Sequence, residues 1–258
     1  MLDPINQLTD AIYFLKKAPY FIKKNRLWEG YWKHGWIAQS TIVLGALFTV
    51  FFIYNIYNTF SSPGIINEKS DPISMGLIIE KVYFQGGIKY LLLILLEMLI
   101  FHFSTKTLDI LENKESSIKP KEFISAQIRM IKISIRNYFF EIVIGILLSI
   151  VLGILGSMPL KSFMMLFVQF YFIGFAFMDN YYEQKNLTIK ESGSYIKEHL
   201  IAAIVIGAAG YGLFMIPLAG AIIAPFICAV AATSYLHHKN VGIDELELAD
   251  DADLAFKP

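Results

Sequence analysis

Leu200 to Leu236 contains no charged residue, yet Gly207, Gly210, Gly212, Pro217, Gly220 and Pro225 interrupt it at intervals no single straight helix tolerates. A stretch this apolar belongs in a bilayer core. Water is absent there, so backbone N–H and C=O groups must pair within helices. A run too long for one span and broken near its middle reads as two helical arms folded back on each other. Broken helices within a membrane have to be buried in protein or line a cavity, and many carriers build substrate sites from them.

The rest of the chain agrees with this class. Apolar residues make up 55% of it and charged residues 17%, below the roughly 25% of soluble domains, which identifies an all-α integral membrane protein. A net charge of +0 removes the argument for a nucleic-acid partner. The single cysteine, Cys228, lies in an apolar segment and reads as a small buried hydrophobe; one cysteine makes neither a disulfide nor a thiolate metal site. No cleavable signal peptide is visible, because residues 1–35 are amphipathic, basic and aromatic.

Two long spans and two hairpins follow from the pattern. Trp36 to Tyr57 is uncharged and, at ~1.5 Å per residue, crosses a ~30 Å core. After turn signals at Ser61–Gly64 and Asp71-Pro72, Ile73 to about Leu111 reads as one long helix whose apolar centre is interrupted by Glu97. Lys106 to Arg136 is polar, with a break at Lys119-Pro120 and an amphipathic helix from about Lys121. Phe139–Ser157 and Leu160–Met178 form the arms of a first hairpin, joined at Met158-Pro159. Asp179 to His199 is a polar connection to the second hairpin. Residues 1–242 read as one membrane domain, and 243–258 as an acidic, disordered tail without apolar periodicity.

Lysine and arginine mark the cytoplasmic side of a membrane. Residues 1–35 hold six of them, 105–138 seven, 179–199 three and the C-terminal segment two, leaving four for the opposite side. Both termini are therefore expected in the cytoplasm of a cell whose inner membrane the chain spans, with both hairpins entering and leaving on the inner side. The hairpins also echo each other: Gly153 to Pro159 resembles Gly212 to Pro217, and Asp179 and His237 each follow the proline by twenty positions.

Candidate chemistry is sparse. Pro159 and Pro217 suit the first turn of a helix and so mark the second arms; helix starts carry free N–H groups and partial positive charge that favour an anion. Whether the hairpins cross fully or enter part-way stays open, since arms of this length fit both. Glu97, among leucines, must face protein or water, and Lys89 with Gln85 could continue a polar stripe from it. Glu141 reads as an interfacial residue near Arg136. His102, His199, His237 and His238 fall at expected helix ends and read as interfacial anchors, without metal-ligand spacing. Neither a nucleophile elbow nor a phosphate loop is present, so catalysis, cofactors and nucleotide energy find no support in the sequence. Tyr13–Lys24 alternates aromatics with lysines, which suits the headgroup region of a lipid bilayer or attraction of a small inorganic anion.

Several segments together resemble the CysZ sulfate permease family, within the superfamily of etoposide-induced membrane proteins. Met215-Ile216-Pro217-Leu218, Ala224-Pro225 and Ala231-Ala232-Thr233 are similar to that family's IPLxN, P and GAT spacing. Met178–Tyr182 followed by Ile189-Lys190-Glu191 resembles its aspartate-tyrosine stretch and FKE, and Tyr13-Phe14, Pro19 and Ile22-Lys23-Lys24 resemble YF, P and IRR. The resemblance implies two long transmembrane helices plus two intramembrane hairpins, a homo-oligomer, and sulfate uptake with Ile22, Lys23 and Lys24 at the anion. The chain departs from the pattern in three places. Lysine replaces arginine, the glycine before the basic pair is missing, and no proline-rich segment follows the second long helix.

The expected function is passage of a small anion, sulfate first, between hairpins oriented by Pro159, Pro217 and Pro225. Lys23 and Lys24 stand at the mouth and Glu97 at a gate, and Asp179 is a further pore or hairpin residue. The competing reading is a membrane scaffold that transports nothing and uses its small residues to pack against partners.

Overall fold

The computed structural model describes residues 3–29, 50, 54, 57, 88–114, 119–157, 159–216 and 219–244. The first expected span, Trp36 to Tyr57, falls almost wholly outside them, as do Gln85, Pro217 and the tail beyond Asp244. Seven helices follow in order: α1 (Pro4–Lys24), α2 (Ile88–Leu111), α3 (Pro120–Ile154), α4 (Pro159–Gln184), α5 (Ile189–Glu198), α6 (Leu200–Phe214) and α7 (Ala219–Asp244). No strand occurs among the described residues.

Local chemistry sets the helix starts. Asp3 caps α1 by accepting a hydrogen bond from Ile5 N at 3.1 Å, with Pro4 at the first position. Pro120 and Pro159 head α3 and α4 in the same way. Thr188 and Glu191 form a reciprocal capping box at α5: the Thr188 amide donates to Glu191 Oε2 at 2.8 Å and the Glu191 amide to Thr188 Oγ1 at 3.3 Å.

Three described helices, over Lys89–Leu111, Lys121–Ile154 and Leu160–Gln184, are long and apolar enough to cross a membrane. The pair α5 and α6, bent by 98° at His199, is a fourth candidate as a broken span or re-entrant loop. α6 alone has 15 residues, about 22 Å, which is shorter than a ~30 Å hydrocarbon core. The four segments expected as hairpin arms are helical, lying in α3, α4, α6 and α7.

Two boundaries differ from expectation. The amphipathic segment and the first hairpin arm are one helix of 35 residues, because neither proline nor glycine lies between Lys121 and Ile144 to break it. Asp179 does not begin a polar connection; α4 continues five residues past it, and the side chain is buried at 1% exposure because a cation meets it there.

The core forms where α4, α6 and α7 meet, with α1 laid against α6 and α7 and α2 against α7 and α3. The contact between α4 and α6 is a backbone contact. A Cβ at Gly174 would lie 1.8 Å from the Ala203 carbonyl oxygen, and one at Gly207 1.7 Å from that of Phe170, so only glycine fits at either position. Cys228 is fully buried in this core. By contrast, the distal parts of α3 and α4 expose Ile142, Ile146, Leu147, Ile150, Val151, Ile154, Phe163 and Phe167. An apolar face of that extent suits lipid rather than water.

Candidate functional site

Three helices, α2, α3 and α4, bring charged side chains together inside this apolar frame, and α5 adds a hydroxyl. Arg129 of α3 grips Asp179 of α4 through two bonds, Nε to Oδ2 at 2.7 Å and Nη2 to Oδ1 at 3.0 Å, and donates from Nη1 to the Leu187 carbonyl at 2.6 Å. A fork of this geometry is the strongest form of a carboxylate–cation contact. Ser192 of α5 adds a hydrogen bond from its hydroxyl to Asp179 Oδ1. One turn further along α4, Glu183 Oε2 stands 4.0 Å from Arg129 Nε.

Glu97 completes the cluster from α2. It is 1% exposed and accepts a hydrogen bond from Asn180 Nδ2 at 3.5 Å; the same amide donates to the Ala176 carbonyl at 3.3 Å. Among the described residues, Asn180 Oδ1 has no partner. Three carboxylates, Glu97, Asp179 and Glu183, thus surround one guanidinium. The structure brings together two residues singled out from the sequence, Glu97 and Asp179, through their neighbour Asn180.

Other expected residues lie elsewhere. Lys23 and Lys24 are exposed in the last turn of α1, with Lys24 Nζ 5.9 Å from the Tyr20 ring centroid, while Ile22 points into the core at 8% exposure. Pro159 heads α4, Pro225 lies buried inside α7, and Pro217 is outside the described residues.

Lys89 does not extend a stripe from Glu97. Eight residues turn a helix by about 80° beyond two full circles, and Lys89 instead meets Glu141 of α3 at 2.5 Å, with Tyr90 donating to the other oxygen of that carboxylate at 2.8 Å. Glu141 is therefore an ion-pair partner rather than an interfacial neighbour of Arg136. The histidines also correct the expectation: of the four named from the sequence, His102, His199 and His237 are buried and His238 is exposed. His199 Nδ1, at the bend between α5 and α6, lies 3.0 Å from the Tyr235 hydroxyl of α7, and His102 Nε2 of α2 lies 3.4 Å from the Leu27 carbonyl in the turn after α1.

At the end of α2, beyond the apolar span, Glu112 receives hydrogen bonds from Lys114, at 2.7 Å, and from Lys185. Partial burial opposes its charge, but the two lysines overcome that and hold its pKa below the ordinary carboxylate value.

Residues 7–225 match the family described as sulfate transporter CysZ/etoposide-induced protein 2.4. The chain belongs to this family. No curated protein and no solved structure matches it. Membership in this family points to a transporter-type membrane protein, and the match runs from Gln7 in α1 to the first turns of α7, including every residue of the polar cluster. Arg129, Glu183 and Ser192 were missed in the sequence because they lie far apart along the chain. The one available signal was Arg129 itself, an arginine on an amphipathic helix whose neighbours Lys121 and Lys132 fall on the exposed side.

Proposed function

We propose that this CysZ-family protein conducts sulfate across the inner membrane, with both termini in the cytoplasm and homo-oligomeric assembly through its exposed hairpin arms. The observation that carries the reading is the cluster of Glu97, Arg129, Asp179, Asn180 and Glu183 inside apolar helices. An ionised carboxylate in hydrocarbon costs at least ~2.5 kcal/mol, so such residues gather where an ion or water passes. Lys23 and Lys24 attract the dianion at the mouth, and Glu97 with Asn180 forms the constriction it must pass. The proline-headed arms at Pro159, Pro217 and Pro225 flank the route, and a gradient drives the flow.

The scaffold reading needs small residues free to meet a partner. Gly174, Gly207, Gly210 and Gly220 are all occupied by contacts within this chain, which favours transport over docking. Uptake of radiolabelled sulfate into proteoliposomes tests the proposal. Saturable influx above empty vesicles, reduced by Lys23→Ala/Lys24→Ala, is the expected result. Influx equal to empty vesicles refutes transport; influx insensitive to the double substitution refutes the role of the lysines alone.

A further inference from the structure

Lys89 is 2% exposed and is the most buried lysine or arginine among the described residues. Its ionic partner is Glu141 of α3, at 2.5 Å, whose other oxygen accepts a hydrogen bond from Tyr90 at 2.8 Å. The pair sits where the lipid-facing part of α3 begins, because Phe139, Phe140 and Ile142 on either side of Glu141 are exposed. An apolar pair of similar volume would carry no desolvation cost at this place, and charges kept within a membrane mark the paths of ions.

The bundle holds its two partnered cations differently. Arg129 meets Asp179 through two bonds and adds a third to the Leu187 carbonyl, so its fork is closed to an incoming anion. Lys89 is engaged by one carboxylate oxygen among the described residues, although an ammonium has three donors. Glu141 has a second anchor in Tyr90 and can leave Lys89 without losing every partner.

The same side of α3 carries further donors. Asn137 lies four residues before Glu141 and Ser134 seven, which places both within about 40° of it around the helix and on the stretch between it and Arg129. Asn137 is 0% exposed and Ser134 2%, and among the described residues neither Asn137 Nδ2 nor Ser134 Oγ has a partner. Asn137 Oδ1 already accepts from Arg136, so its amide nitrogen is the group left to donate. Buried donors without partners are costly, and chains keep them where something other than the protein satisfies them.

We propose that Lys89 is a station for the transported anion and that Glu141 is its tethered counter-ion, displaced when sulfate arrives. Sulfate brings two negative charges against one on the carboxylate, and four oxygens for the ammonium donors and the Asn137 amide. Glu141 swings aside on its bond to Tyr90 and returns when the anion leaves, so the pair is shut without substrate. Ser134, a further turn along α3, lines the way towards the cluster around Glu97. The inference rests on the sulfate-transport reading and adds where the anion is held and what keeps the path closed.

Initial rates of radiolabelled sulfate influx into proteoliposomes, taken across sulfate concentrations, test it. Glu141→Gln keeps the shape and an acceptor for Tyr90 but removes the competing charge, and should lower the KM for sulfate by at least about fivefold. Lys89→Met with Glu141→Leu removes both charges, leaves none stranded, and should cut influx at least about tenfold in a chain that still elutes as wild type on gel filtration. A pair that only ties α2 to α3 would leave KM unmoved. An unchanged KM in Glu141→Gln, or wild-type influx in the double variant, overturns the station while leaving transport untouched. A wild-type chain without saturable influx overturns both.

Discussion

Removing Asp179 probes the polar core where its energy is concentrated. Asp179→Ala deletes both oxygens of the fork and the acceptor for Ser192, leaving Arg129, whose side chain is 14% exposed, with the Leu187 carbonyl and a glutamate 4.0 Å away. Breaking a buried pair from one side typically costs about 3–5 kcal/mol, because the remaining charge stays desolvated. Glu183 can swing towards Arg129 and recover part of that, so the lower end, about 3 kcal/mol, is expected. Replacing both partners, as Arg129→Met with Asp179→Leu, removes the stranded charge and should restore most of the loss. The assay is reversible unfolding in mixed micelles by SDS titration, run as a double-mutant cycle. A loss under about 1 kcal/mol for Asp179→Ala, or a double variant no better than the single, would refute the claim that a desolvated pair is clamped there.

Three further outcomes follow from other parts of the structure. Gly207→Ala drives a methyl group into the Phe170 carbonyl and should strongly destabilise the protein, whereas Gly212→Ala, with nothing within 4 Å, should be neutral or stabilising by up to about 1 kcal/mol; thermal midpoints of the two variants compare them directly. Gln7 donates to the Glu198 carbonyl at 2.8 Å and accepts from the Ile201 amide at 3.1 Å, so it satisfies the backbone at the bend between α5 and α6. Gln7→Ala should cost about 1–3 kcal/mol in the same SDS titration. Glu112 has a lowered pKa, so its contribution is present above the ordinary carboxylate range and lost as pH falls through the lowered value. Glu112→Gln should flatten the decline in thermal midpoint on acidification, and an unchanged pH profile would remove Glu112 from the account.

The helical class, the long apolar helices and the break at Lys119-Pro120 were legible in the sequence because apolar runs and prolines act locally. The proline at position 159 opens its helix as its chemistry demands. What stayed hidden depends on which helices meet. Glu97 was recognisable as a carboxylate that cannot face lipid, but its partner Asn180 lies 83 residues away. Asp179 looked like the start of a loop because its charge argues for water; only the guanidinium of Arg129, 50 residues distant, makes its burial tolerable. Lys89 and Glu141 misled in the same way, each having been assigned a neighbour on its own helix when the true partner stood across the bundle. Gly174 and Gly207 could be seen as small residues, but not that they face each other's helix backbone.

The central claim is that the anion passes the buried cluster around Glu97. The initial rate of sulfate influx into proteoliposomes, compared between the wild-type chain and Glu97→Gln at equal protein content, tests it most directly. The account predicts a rate changed severalfold in a variant that remains folded, since the substitution replaces the carboxyl at the constriction with an amide. Equal rates in the two proteins would contradict it.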